Sequence, residues 1–342
     1  MMPRTEPKRR SWAREYTEAE DKLLGIWGYF NSQMKKMEYW KRTQYTPTDE
    51  ELRNLGIELS DLDFETGETS STIFPYFMPS QDKTVSVSNS GIHPDNDAFN
   101  TFNRSNTRRI FGEYDWYEYL HLAFGGYVGA IRERQQPEFD QRWELPIPQD
   151  RRSTGSCAVR ETMIYGKMQA RRPSQSHRVV KVLVDKDIDE NRPSVSEWIG
   201  LVSWMLGGMR YQLEQIKAQI PKKPSKDQRR ELNKRRLHIV FPTLVLCFMK
   251  PARVRVLYGY FEYGILKVQF SKCQDFNVPN YVERMDCLLR WIFPTTNGDT
   301  RLVGLQAISE DEEDEEAESY EKKHGIISQA ENTVGSCQST ES

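Results

Sequence analysis

The sequence predicts an α+β fold: a mostly antiparallel sheet of about five strands with helices packed on one face. Three observations predict it. Amphipathic runs with a 3.6-residue period fall at 17–42, 114–134 and 194–219. Valine-rich or alternating runs fall at 158–168 and 178–184 and in a meander over 239–272. The chain has 342 residues, 37% hydrophobic and 29% charged, which suits a sizeable core joined to long polar segments.

Residues 1–16 are basic and polar, with Lys8-Arg9-Arg10, and are expected to be mobile. Thr17 and Glu20 form a capping box that starts a helix. Leu23, Trp27, Phe30, Met34 and Met37 then recur at spacings of four and three. They define one face of a separate N-terminal amphipathic helix, and a candidate partner-binding face if it stays uncovered. Thr48 with Glu51 opens a second short helix that Gly56 stops, so 17–59 reads as a helical segment. From 60 to 109 periodicity is lost in a stretch rich in Ser, Thr, Asn and Asp. A low-complexity polar linker is expected there, with an aromatic island at Phe74, Tyr76 and Phe77.

The α+β core is expected over 110–308. A helix at 114–134 precedes strands at 158–168 and 178–184. A capping box from Ser194 to Glu197 then opens the longest helix, which Pro221 ends. Its apolar stripe runs through Trp198, Leu201, Val202, Met205 and Met209. The meander follows: a buried run at 239–249, then Arg253–Phe261 and Gly264–Lys272, with turns at Lys250-Pro251-Ala252 and Glu262-Tyr263-Gly264. Val254, Val256, Tyr258 and Tyr260 alternate with Arg253, Arg255 and Leu257, which predicts one packed face and one wet face. A helix from Tyr281 to Ile292 closes the core. Gly125-Gly126 and Gly207-Gly208 each follow a tryptophan by nine residues, and predict close approach of two helices.

Charge is unevenly spread. The net charge is −2, but 309–342 holds eleven acidic and two basic residues, leaving 46 basic and 39 acidic residues before it. That acidic tail is expected to be disordered. Ser309, with Glu312 three residues on, has the pattern of an acid-directed kinase site. The most specific motif is the basic connector at 222–236. Lys222 and Lys223, ten intervening residues, then Lys234, Arg235 and Arg236 have the layout of a bipartite import signal. The same side chains are candidates for phosphate contact. Importin, nucleic acid and an unidentified protein are therefore the expected partners.

Several chemistries lack their residues. The longest nearly uncharged apolar stretch, Trp198 to Met209, is too short for a membrane span, and residues 1–16 carry no apolar leader. Five cysteines without a C-x-x-C pair are expected to be reduced thiols in an intracellular protein, with Cys247 an ordinary buried one. The five histidines lack metal-ligand spacing, and neither a GxGxxG nor a P-loop is present. Cys157, His177 and Asp185 fall in a Cys-His-Asp order without a nucleophile elbow. The sequence thus assigns no catalytic residue, metal, cofactor or small-molecule ligand.

Three resemblances accompany these readings. Tyr16 to Leu24 is similar to the opening of a Myb-type repeat, but the regularly spaced tryptophans do not follow. The order helix, strand, strand, helix, strand resembles the PD-(D/E)xK nucleases with one strand short. Their chemistry needs two carboxylates on a divalent metal and a lysine two residues beyond the second. Here Glu161 and Asp185 are the available acids. Lys186 adjoins Asp185 on the opposite face, and Lys181 shares its face but lies four residues before it. The resemblance therefore implies a degenerate, inactive relative. Residues 237–293, with Val245–Met249, Arg255–Phe261, Leu266–Phe270 and Leu288-Leu289-Arg290-Trp291, resemble lineage-specific uncharacterised proteins of filamentous fungi. That likeness implies a shared fold and a fungal source but no reaction.

The expected function is an intracellular, non-enzymatic interaction module with nuclear import, present in nucleus and cytoplasm. The alternative is a nucleic-acid-associated protein, a decayed PD-(D/E)xK nuclease.

Overall fold

A computed structural model of the chain describes residues 12–40, 45–69, 75–104, 116–135, 153–154, 157–164, 168–169, 172–173, 176–184, 191–217, 238–298 and 300. In chain order the helices are α1 (Trp12–Trp40), α2 (Asp49–Asn54), α3 (Val87–Ser90), α4 (Ala98–Arg104), α5 (Trp116–Gln135), α6 (Val195–Lys217) and α7 (Tyr281–Ile292). The strands are β1 (Ile57–Asp61), β2 (Phe77–Met78), β3 (Ser153–Thr154), β4 (Cys157–Ile164), β5 (Met168–Gln169), β6 (Arg172–Pro173), β7 (Arg178–Val184), β8 (Thr243–Met249), β9 (Arg253–Glu262), β10 (Ile265–Phe270), β11 (Gln274–Asp275) and β12 (Thr295–Thr296).

The fold is α+β, but the sheet is mixed rather than mostly antiparallel. Its order is β1-β10-β9-β8-β7-β4-β3, with β11 added beside β9. β8, β9 and β10 form the antiparallel meander that alternation predicts, while β1 runs parallel to β10 and β7 parallel to β8. The β7–β8 pair is parallel because α6 lies between them and carries the chain back to the starting end of the sheet. The hairpin between β9 and β10 turns at Tyr263 and Gly264, both at positive φ, the geometry a two-residue hairpin turn needs.

Helices cover both faces, not one. Leu244, Leu246 and Phe248 of β8, with Val254, Val256, Tyr258 and Tyr260 of β9, face a core completed by α5, α7 and residues 62–99. Val245, Cys247 and Met249 face a second core completed by α1 and α6. The uninterrupted apolar run Thr243–Met249 follows from this, because a strand buried on both sides has no polar side to alternate with. The face expected to be wet is therefore dry, and Arg255 and Gln269 are fully buried.

Two N-terminal expectations change. α1 begins at Trp12, ahead of the capping box at Thr17, and packs along α6 instead of standing apart. The stretch read as a polar linker is folded where it is described. Phe64, Tyr76, Phe77, Val85, Val87 and Phe99 are buried, and β2 pairs with β12. Spaced aromatic anchors do this without any period: each sinks one side chain into the core while polar neighbours close tight turns. Asp63, for example, accepts from the backbone N–H groups of Glu65 and Thr66. α2 agrees with its motif, for Thr48 and Glu51 make both bonds of the capping box and Gly56 has φ +72°. No helix among the described residues is long and apolar enough to cross a membrane.

Candidate functional site

The core beneath α6 contains two buried arginines, one on β9 and one on β7. They are solvated by the protein in different ways.

Arg255 is paired with an acid. Glu197, in the third position of α6, turns its carboxylate back to accept the N–H of Ser194 at 2.7 Å. Ser194 Oγ makes no hydrogen bond among the described residues, so only one of the two expected capping-box bonds forms. The same carboxylate accepts from Arg255 Nη1 at 3.1 and 3.3 Å, and both side chains have no exposure. Arg255 also donates from Nη1 to the carbonyl of Arg192 at 2.6 Å and from Nη2 to Cys273 Sγ at 2.9 Å. Burial is the largest single influence and opposes the guanidinium charge, but Glu197, Cys273 and Cys247 together outweigh it and hold the pKa above its ordinary value. Burial pushes the Cys273 thiol up to about 11 against the pull of Arg255, so it stays protonated at neutral pH.

Arg178 is not paired with an acid. It is 3% exposed, and the one hydrogen bond of its side chain among the described residues runs from Nη1 to the carbonyl of Trp204 in α6 at 3.1 Å. It forms no ion pair among the described residues, and its Nε is sealed without a partner. Burial lowers its pKa to about 10, against the opposing influence of Tyr16 and Tyr211. Its head occupies the space that a side chain on Gly208 would fill. A Cβ there would lie 2.7 Å from Arg178 Cζ and 2.7 Å from Phe241 Cδ1. Gly208 therefore serves a helix–strand approach, not the predicted helix–helix one, whereas a Cβ on Gly207 would make only an ordinary contact, 3.9 Å from Arg178 Nη1. Gly125 faces open space, so close packing does not account for the first pair.

The import or phosphate-contact residues Lys222, Lys223, Lys234, Arg235 and Arg236 lie outside the described residues. Their flanks do not. The Gln212 side chain donates to the carbonyl of His238 at 2.9 Å and accepts its N–H at 3.0 Å. Gln212 of α6 and His238, before β8, are thus held side by side. Thr300 joins it there, its carbonyl accepting from Ile239 and Val240.

The apolar stripe of α1 lies inside the protein. Leu23, Phe30 and Met34 are buried, Phe30 stacks on Trp198 at 5.3 Å, and the Trp27 indole donates to Ser203 Oγ at 3.0 Å. α6 thus covers this face, so the condition on which it was a candidate partner-binding face, that it stay uncovered, is not met. The side chain of Met37 lies outside the described residues.

The other chemistry-bearing residues hold the fold together. Asp97 accepts from the Tyr127 and Tyr281 hydroxyls at 2.7 and 2.8 Å and caps α4 through the N–H of Asn100. Asp286 accepts the N–H of Val87 at the start of α3. His177 donates from Nε2 to the carbonyl of Asn297 at 2.9 Å, between the rings of Tyr76 and Phe77. Burial lowers its pKa to about 4, so the ring is neutral and shielded. Of the nuclease-like set, Asp185, Lys186 and the side chain of Glu161 lie outside the described residues. Lys181 is 3% exposed, 5.7 Å from the centre of the Phe124 ring, and its backbone register partner on β4 is Glu161. Val179, two residues before Lys181, lies in the same core as Phe124.

Sequence reasoning missed both buried arginines. Arg255 looked like the wet half of an alternating strand, and Arg178 like the polar start of a valine-rich one. The available signal was the glycine pair of α6, which marks a place where a neighbour needs room. No family model matches the chain, and comparison with curated proteins and with solved structures finds no match either.

Proposed function

We propose that this chain is a nucleic-acid-associated protein that binds phosphates without cutting the polymer, a degenerate relative of the PD-(D/E)xK nucleases. The observation that carries the reading is the order of its elements. α5, β3, β4, β7, α6 and β8 come in the order helix, three strands, helix, strand, with the separate β5–β6 pair inserted between β4 and β7. β3, β4 and β7 are successive antiparallel neighbours, and β8 joins β7 in parallel after α6. β3 supplies the strand that the sequence-based order lacked. Lys181 is aligned with Glu161, but valine stands at 179, where the chemistry needs a second carboxylate.

Charge supports the binding half of the reading. Residues 1–308 carry 46 basic and 39 acidic side chains, with Lys222, Lys223, Lys234, Arg235 and Arg236 in one connector. Tracts of this kind contact phosphates and serve as import signals, so importin recognition and a division between nucleus and cytoplasm belong to the same proposal. The purely protein-binding reading loses its main candidate surface, because the α1 stripe is covered by α6.

The test is oligonucleotide binding by the full chain and by a variant with those five basic residues changed to Ala, followed by incubation with Mg²⁺ or Mn²⁺. Binding by the parent, a loss of at least about tenfold in the variant and intact oligonucleotide are expected. Equal binding by both proteins, or metal-dependent cleavage, overturns the proposal.

A further inference from the structure

We infer that Arg178 forms a buried oxyanion site, receiving a phosphate-type anion on the Nε–Nη2 edge of its guanidinium. A buried charge needs an opposite charge or a full set of hydrogen bonds. Arg255 shows how this protein meets that need, with a carboxylate, a backbone carbonyl and a thiol around one head group. Arg178 lies under the same helix with one backbone carbonyl, from Trp204, and no acid among the described residues. Losing its proton is not an escape, since a guanidinium stays charged in proteins.

The free edge has the geometry that anions select. Nη1 is taken by Trp204, whereas Nε is sealed without a partner and Nη2 makes no hydrogen bond among the described residues. Two parallel N–H groups on one planar edge match two oxygens of a phosphate or sulfate. α6 makes room for the head group by placing glycine at 208, although a glycine weakens a helix interior. A Cβ on Gly208 would come within 2.9 Å of Nη2. Tyr16 of α1 and Tyr211 of α6 are the titratable neighbours whose influence reaches the guanidinium. The site holds whether or not the fold is a nuclease relative, because its ligand is either free phosphate or the phosphate of a polymer.

The experiment compares the melting temperature of the full chain in sodium phosphate and in sodium chloride at matched ionic strength. Phosphate also stabilises proteins by exclusion from their surface, so the reference is Arg178→Met, which keeps the length of the side chain and removes its charge. The parent is expected to gain a phosphate-specific rise in melting temperature that Arg178→Met lacks. Arg178→Lys keeps the charge but loses the fork, and should bind phosphate about tenfold more weakly or worse, as expected for one lost charge-assisted hydrogen bond. An equal phosphate response in parent and Arg178→Met overturns the site. If Arg178→Met does not fold, undiminished affinity in Arg178→Lys overturns it instead. A single-stranded oligonucleotide giving the same Arg178-dependent rise assigns the anion to a polymer backbone, and a rise with inorganic phosphate alone assigns it to a small ligand.

Discussion

Arg255 Nη1 lies 3.1 Å from Glu197 Oε2 with both side chains withdrawn from solvent, tying the interior strand β9 to the first turn of α6. The carboxylate also caps that turn through Ser194, so one acid serves a helix end and a buried cation together. Removing one partner leaves the other charged and unpaired. Glu197→Leu and Arg255→Met are each expected to cost about 3–5 kcal/mol. The double variant Glu197→Leu/Arg255→Met should cost much less than their sum. Urea unfolding of the two single variants and the double variant checks this.

The glycine pairs give a second prediction, with opposite signs in the two helices. Gly208→Ala pushes a methyl group into Arg178 and Phe241 and should destabilise by about 1–3 kcal/mol. Gly125→Ala meets open space inside α5 and should stabilise by up to about 1 kcal/mol. Thermal unfolding of the two variants against the parent separates them.

The α1 stripe gives a third. Phe30 is fully buried and stacked on Trp198, so Phe30→Ala should cost about 3–5 kcal/mol, as a core truncation does. An open docking face would show little change in stability on that substitution. Denaturant unfolding decides between them.

His177 gives a pH prediction. Its folded pKa, about 4, lies below the ordinary 6.5, so the unfolded chain binds more protons than the folded one between those values. The stability tied to its neutral ring is complete above pH 6.5 and is lost as pH falls toward 4, at about 1.4 kcal/mol per pH unit. His177→Phe should remove that share of the slope in unfolding free energy measured from pH 7 to 4.

Local pattern made much of this fold legible. β7 and α7 occupy the residues their patterns mark, and the meander turns fall at Lys250–Ala252 and Tyr263–Gly264. Pairings between distant segments were not legible. The Ile57–Asp61 strand lies parallel to β10 across about two hundred residues, and nothing in its own pattern names that partner. The aromatics from Phe64 to Phe99 are core anchors, yet they are too widely spaced to register as a period. The run Thr243–Met249 did carry the sign of two covered faces, since a strand with one wet face alternates. The candidate site was the least legible part, because the burial of Arg178 and Arg255 depends on where α6 crosses the sheet.

Salt-titrated binding of the full chain to duplex DNA tests the functional proposal most directly. A phosphate-binding protein releases counterions, so log K should fall linearly with log salt, at a slope near −0.9 for each neutralised phosphate. The proposal predicts a slope of several such units that shrinks when Lys222, Lys223, Lys234, Arg235 and Arg236 become Ala. No measurable binding at low salt, or binding that ignores salt, contradicts it and points to a protein partner.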